Sequence, residues 1–527
     1  MAKRPNIIFI VIDALRYDRL GVSGYLPSRT PVLDQLARDG QFYKSNFAVG
    51  CPTQISMPGV FTSSLPLDHG GYKSGIADRP RSFVEELQKN GYDTFGVSTV
   101  AWMSRLHGYD RGFDNYLEMI DMVQWLQASY SLLFGELIDR LEVGLISEAD
   151  AIEKIRAEYP AILDQGMSFL TIQKKRPMAG AWRSVAYWEK RLKAEMKLLD
   201  TDPAKILTRK QAMGGDINTL GEAEVTDDML RRAARSAHWD KRLNKYIFFR
   251  SKRRHYKGHE VNRQARHFLR NRSDKPFFMK LHYFEMHEAK LVVPSMTLRR
   301  AIDFPGDVLS AMRGRKNRHP VGILYDIGLA NIDRQIGRLL KVLKSEGAED
   351  TILVITSDHG MDTHHPNRGI GNDLQKLFFD EYLHVPFIIH GPGIEKAEVE
   401  GLMSHLDLGP SILELAGIEI PDDFRGATAS ERRKAPLDYV IAENTGRGWC
   451  DIDGKTIFMG VRTKDFKIVF QADDFKARER DVFDLANDPG EQTNLVDKQT
   501  HTEQRAYLMK VANERLEEIK RGRVATV

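Results

Sequence analysis

The chain has little cysteine, little net charge and no long apolar run, and each shortage removes a class of answer. Its two cysteines, Cys51 and Cys450, are too few for a disulfide framework. The opening MAKRPN leads straight into a strand-like run with no apolar leader, so a cytoplasmic protein is expected. No stretch approaches the roughly 18 consecutive apolar residues of a membrane-spanning helix. A net charge of +4 over 527 residues is too small to point globally to nucleic acid, so charge has to be read locally. A chain of this length can bury one large α/β core or two or three smaller ones.

What is present centres on TILVITSDHG, Thr351 to Gly360. Five β-branched or aliphatic residues without alternation are the pattern of a strand buried on both faces of a parallel sheet. Asp358 and His359 then fall just past its carboxyl end, where open α/β sheets carry their ligand sites. A carboxylate beside an imidazole suits Mn, Zn or Fe. Alone, an Asp-His-Gly turn would more simply cap the next helix. A second run, NIIFIVID at Asn6 to Asp13, also ends in an acid, and two strand-end carboxylates at one sheet edge call for a cation to offset them.

Between these runs, TPVLDQLARDG has helical spacing closed by Gly40. In CPTQISMPGVF a polar turn precedes a small-residue segment, and a hydroxyl or thiol at a helix start is favoured as an anion by the amide dipoles. Cys51, Thr53 and Ser56 all qualify chemically, while Thr53 could equally be a plain N-cap. Residues 119–271 are rich in Leu, Ala, Glu, Lys and Arg and read as mostly helical. Within them, Arg231 to Lys257 interleaves basic residues with Trp239, Tyr246, Phe248 and Phe249. A solvated helix face is the plainest reading of that stretch; a surface for an anionic substrate or polymer, or a membrane-surface contact, is the sharper one. TIFMGVR and FKIVFQ read as strands near the end, before a charged terminal helix.

The ordered set NIIFIVIDALRYDRLGVSGY, TPVLDQLARDG, FTSSLPLDHG, PFFMKLHYFEMH, LYDIGLANIDRQIGRLLKVL, SDHG, HVPFIIHGPG, SHLDLGPSILELAGI and DVFDLANDPGEQTNLVD resembles the sulfatase branch of the alkaline phosphatase superfamily. The resemblance covers Pro5 to about Glu118 and Lys275 to about Asp497. Sulfatases carry a cysteine, converted to formylglycine, in a Cys-x-Pro-x-Arg motif. In the register set by Phe61, that place belongs to Thr53, with Ile55 and Met57 where proline and arginine would stand, and Cys51 lies two residues early. A threonine there is similar to the nucleotide pyrophosphatase and phosphoethanolamine transferase branches, in which it is the nucleophile. Ala14 stands where a second acid is usual, and Ser98 and Thr99 replace a Lys-x-His pair. The resemblance therefore implies a metal set of Asp13, Thr53, Asp358 and His359, like that of phosphonate monoester hydrolases and phosphodiesterases. It gives His287, in the place of the family's Pro-His, and Lys376 roles at the non-bridging oxygens or leaving group. His364 and His365 in MDTHHPN are further candidate substrate contacts. His282 reads as a core histidine, and His405 as either a second-metal ligand or a loop residue.

The expected fold is an alkaline phosphatase-like α/β/α sandwich with a mostly parallel central sheet. Residues 1–118 and 275–435 would form the catalytic core, 119–274 a helical basic insertion, and 436–527 a small C-terminal α+β subdomain. The expected activity is metal-dependent hydrolysis of phosphate mono- or diesters, phosphonates or sulfate esters by a Thr53 nucleophile, with one or two divalent ions (Mn, Zn or Ca). The substrate would be a small or polymeric anionic ester, and homo-oligomerisation is left open. The alternatives are a sulfatase, a phospho-group transferase, and an inert binding protein on a sulfatase fold.

Overall fold

The computed structural model describes residues 4–142, 144–175, 184–213, 220–221, 258–286, 320–363, 377–445 and 456–524. The chain divides into two compact units: Met1–Thr99 with His107–Leu117 and Tyr256–Val527, and Val100–Leu106 with Glu118–His255.

The first unit is built on an eight-stranded sheet. In chain order its strands are β1 (Asn6–Ile12), β2 (Gln41–Phe47), β3 (Asp93–Ser98), β4 (Asn115–Glu118), β5 (Phe277–Tyr283), β6 (Thr351–Thr356), β7 (Phe387–His390) and β8 (Ala397–Ser404). Across the sheet they run β4-β3-β5-β1-β6-β7-β2-β8. β3, β5, β1 and β6 are mutually parallel, β2 and β8 are parallel, and β7 runs antiparallel to both neighbours. The unbroken apolar runs of β1 and β6 sit at the centre, which is where strands covered on both faces belong. β5 is also buried throughout although its sequence, FFMKLHY, carries Lys280 and His282. Flanking β1 with β5 on one side and β6 on the other makes a switch in strand order. Such a switch opens a crevice at the carboxyl ends of those three strands.

Helices cover the sheet. Pro31–Asp39 starts with proline at its first position, where the missing N–H costs nothing, and Phe83–Lys89 is closed by a capping box of Ser82 and Glu85. Thr53–Thr62 is buried along its whole length, and its own apolar and small residues leave it no solvated face. A second, antiparallel sheet of β9 (Val440–Asn444), β10 (Ile457–Arg462), β11 (Phe466–Asp473) and β12 (Lys476–Asp484) packs on the terminal helix Thr502–Val524, with Leu508, Ala512 and Leu516 against Ile457, Val461 and Ile468.

The second unit is helical, with Met122–Glu142, Glu148–Lys175, Val185–Thr201 and Pro203–Met213 around Trp125, Phe134, Ile155, Leu163, Leu192 and Ile206. The stretch Arg231 to Lys257 lies outside the described residues. Among the described residues no helix is long and apolar enough to cross a membrane.

Candidate active site

β1 and β6 lie side by side and each stops just short of an aspartate, so Asp13 and Asp358 reach the same sheet edge. The two turns are laced together. Ser357 Oγ donates to the Ile12 carbonyl (2.6 Å) and accepts from Leu15 N (2.8 Å), while Ala14 N donates to Asp358 Oδ1 (3.0 Å). Ala14 holds a left-handed φ of 60° to make this turn. On the other side, Asp13 N donates to the Tyr283 carbonyl (2.9 Å), which joins the turn to β5.

Thr53 opens its helix against this edge. Its hydroxyl donates to Asp358 Oδ2 at 2.6 Å and lies 3.3 Å from His359 Nε2. His359 Nδ1 lies 2.7 Å from the Gly360 carbonyl, which can only accept, so Nδ1 carries the proton and the Nε2 lone pair faces Thr53 and Asp358 Oδ2 (3.3 Å). Asp13 is fully buried, and among the described residues neither of its carboxylate oxygens has a hydrogen-bond partner. The ligand atoms of Asp13, Asp358 and His282 all lie within 4.8 Å of one another. Buried carboxylate and imidazole ligand atoms converging in this way fit a divalent cation.

The electrostatics agree. Burial pushes the Asp13 carboxyl well above its usual range, and the neighbouring Asp358 pushes it further. Burial also acts to raise Asp358, but His359, His282 and the hydrogen bonds from Thr53 and Ala14 N outweigh it and hold that acid below its usual range. Burial opposes protonation of His359, yet Asp358, Cys51 and Asp13 raise its pKa. An acid pair whose surroundings push the two pKa values apart is a candidate functional site.

The structure thus gathers Asp13, Thr53, Asp358 and His359. Cys51 is buried among Phe47, Ala48, Phe378 and Leu383 and interacts with the His359 ring. His405 is fully buried and lies close enough to Asp358 and Ser357 to feel both, while burial pushes its pKa down to about 4. His287, His364, His365 and Lys376 lie outside the described residues. His282 is the residue that sequence reasoning passed over. The signal was in KLH: pairing of Val11 with His282 puts Lys280 and His282 on the face of the sheet that Asp13 continues.

A model of the sulfatase family matches residues 5–156 and 210–418, and one of the C-terminal region of N-sulphoglucosamine sulphohydrolase matches 373–521. Among curated proteins, the chain is 30% identical to the uncharacterized sulfatase YidJ of Escherichia coli over 269 residues, 45% of this chain and about half (51%) of YidJ. It is 22% identical to N-acetylglucosamine-6-O-sulfatase of Bacteroides thetaiotaomicron over 97% of this chain and 86% of that one. Among solved structures, the phosphonate monoester hydrolase of Agrobacterium radiobacter shares the fold at a TM-score of 0.57, with 17% identity over 98% of this chain and 95% of that chain.

Proposed function

Because the chain belongs to the sulfatase family, we propose that it is a metal-dependent hydrolase of phosphate or phosphonate esters in which Thr53 is the nucleophile. The observation that carries this reading is the Thr53 hydroxyl at the start of a buried helix, 2.6 Å from Asp358 Oδ2 and beside the fully buried carboxylate of Asp13. Asp13, Asp358, His359 and Thr53 are the residues that would hold the cation. Bound there, it would lower the hydroxyl pKa and offset charge on the transferred group.

The chain's own residues carry the rest. Thr53 Oγ attacks phosphorus in line, its proton passing along the existing hydrogen bond to Asp358 Oδ2, and the bond from phosphorus to the leaving oxygen breaks. Water then attacks the phosphothreonine, one of its protons passing to the departed oxygen and the other staying on the phosphate, the bond from phosphorus to Thr53 Oγ breaks, and the proton held on Asp358 Oδ2 returns to Oγ. His287 and Lys376, in their family register, steady the non-bridging oxygens and the departing oxygen. The N-terminal amides of Thr53–Thr62 add a positive end beside the developing charge.

Sulfate-ester hydrolysis is the second reading, favoured by the family and by relatives named for it. It stands second because a threonine lacks the elimination route that a formylglycine hydrate offers. Turnover of paired aryl phosphodiester and aryl sulfate substrates, with Mn or Zn added to stripped protein, decides between them. Faster sulfate release would reverse the order, and no metal-stimulated turnover of either would remove the proposal.

A further inference from the structure

Where the family resemblance would put a second acid this chain has Ala14, and a neighbouring strand brings an imidazole to the same sheet edge. Ala14 follows Asp13 with only a methyl group, while His282, the last residue but one of β5, brings its Nε2 to 3.7 Å from Asp13 Oδ2. We propose that His282 is a ligand of the site's cation, standing in for the acid that Ala14 lacks. The resulting site would take a borderline ion such as Mn2+, Co2+ or Zn2+ in preference to Ca2+ or Mg2+. The inference rests on the metal-dependent reading above and adds to it both a ligand and a selectivity.

The tautomer supports it. His282 Nδ1 lies 2.7 Å from Thr99 Oγ1, and the same hydroxyl lies 3.4 Å from the His282 carbonyl. The carbonyl can only accept, so the hydroxyl can donate to it and accept from Nδ1–H. With the proton placed on Nδ1 in this way, Nε2, 3.7 Å from Asp13 Oδ2, is the nitrogen left to ligate. A metal-bound histidine is held in this way, its outer nitrogen donating to a fixed acceptor while the inner one ligates. His359 is arranged identically, Nδ1 to the Gly360 carbonyl and Nε2 inward.

The plainer reading is a core histidine satisfied by Thr99. It leaves a fully buried carboxylate, neither oxygen hydrogen-bonded among the described residues, beside His282 Nε2, an arrangement that a cation held between them resolves. Backbone register explains why the two meet. β5 pairs with β1 in parallel, Val11 opposite His282, so His282 and Asp13 follow one another along one face, and β3 brings Thr99 up from the other side. With His282 included, the set is two imidazoles, two carboxylates and a hydroxyl. Ca2+ and Mg2+ favour oxygen donors throughout, whereas Mn2+, Co2+ and Zn2+ accept imidazole readily, so exchanging an acid for a histidine moves the preference towards the second group.

The test is binding, read without turnover. Stripped full-length protein is titrated with Co2+, Zn2+, Mn2+ and Ca2+ by calorimetry, and the visible spectrum of the Co2+ form is recorded for wild type, His282→Phe and Thr99→Val. Wild type should prefer the three transition ions to Ca2+ by at least about tenfold. His282→Phe should lose most of that preference and shift the Co2+ bands, and Thr99→Val, which keeps the ring, should weaken Co2+ binding by about 10- to 100-fold. Should His282→Phe fail to fold by circular dichroism, the Thr99→Val titration decides alone. An unchanged Co2+ spectrum and affinity in the folded variants would return His282 to the core and leave the proposed function standing. A wild type that binds no divalent ion would remove the metal reading altogether.

Discussion

Thr53 and Cys51 are two residues apart, both buried, and both in contact with the His359 environment, yet their chemistry differs by position. Thr53 has an acceptor for its proton at 2.6 Å and the N-terminal amides of its own helix. Cys51 lies ahead of that helix and packs into an apolar cluster with Phe47 and Leu383. Thr53→Ala should therefore lower ester turnover by roughly three orders of magnitude or more, with the fold intact. Cys51→Ser should stay within about tenfold of wild type, since it removes packing and not the reacting group. An aldehyde at Cys51 by mass spectrometry, or near-normal turnover of Thr53→Ala, would restore a formylglycine mechanism. At the same scale, Asp358→Asn keeps the side chain's shape and removes its charge; folded protein with sharply reduced metal stoichiometry is the expected result by elemental analysis.

Elements decide how the helical unit holds together. Glu195, on Val185–Thr201, is fully buried and accepts from Tyr159 on Glu148–Lys175 (3.0 Å), from Arg209 on Pro203–Met213 and from Gly221 N (2.6 Å). One carboxylate thus ties three segments of chain to its own helix in an otherwise apolar interior. Replacing it by alanine strands the buried Arg209 guanidinium and should cost about 3–5 kcal/mol. A matched Glu195→Leu with Arg209→Met should cost far less, because it removes both charges together. Urea titration of the two variants checks this, and equal destabilisation would show that shape, not the stranded charge, is what matters. The helices of this unit were legible in a composition rich in Leu, Ala, Glu, Lys and Arg; the buried Glu-Arg-Tyr cluster was not, since Glu195 and Arg209 look like surface charges in any linear window.

Across the molecule, pH sensitivity should reflect acids buried where helix Pro320–Ser345 meets the loop after β1. Burial pushes Asp326 up to about 7, with Arg19 only partly opposing it, while Tyr25 Oη donates to its carboxylate at 3.0 Å. Its folded-state pKa lies above the 3.8 of an ordinary aspartate, as in the unfolded chain, so the folded protein binds the extra proton between those values. Stability from this group is accordingly present at low pH and lost as pH rises through about 7. Asp326→Asn, which cannot ionise, should gain on wild type in urea stability between pH 5 and pH 8, whereas parallel stability profiles would show that Asp326 ionises in the fold without penalty.

The amino-acid sequence by itself determined the buried strands Asn6–Ile12 and Thr351–Thr356, the helix at Thr53 and the acids at the strand ends, because each rests on neighbouring residues: an unbroken apolar run, then a polar break. The motifs were legible for the same reason, and with them the superfamily and the departures at Ala14 and Thr53. Only the tertiary structure decided that His282 faces Asp13, that Thr99 holds its outer nitrogen and that Cys51 reaches His359. Those meetings join residues about 180 to 310 positions apart, and they follow from the order β3-β5-β1-β6 and its register. A lysine and a histidine inside a strand look the same in one dimension whether they face solvent, core or cation; strand pairing across the sheet is what selects among the three.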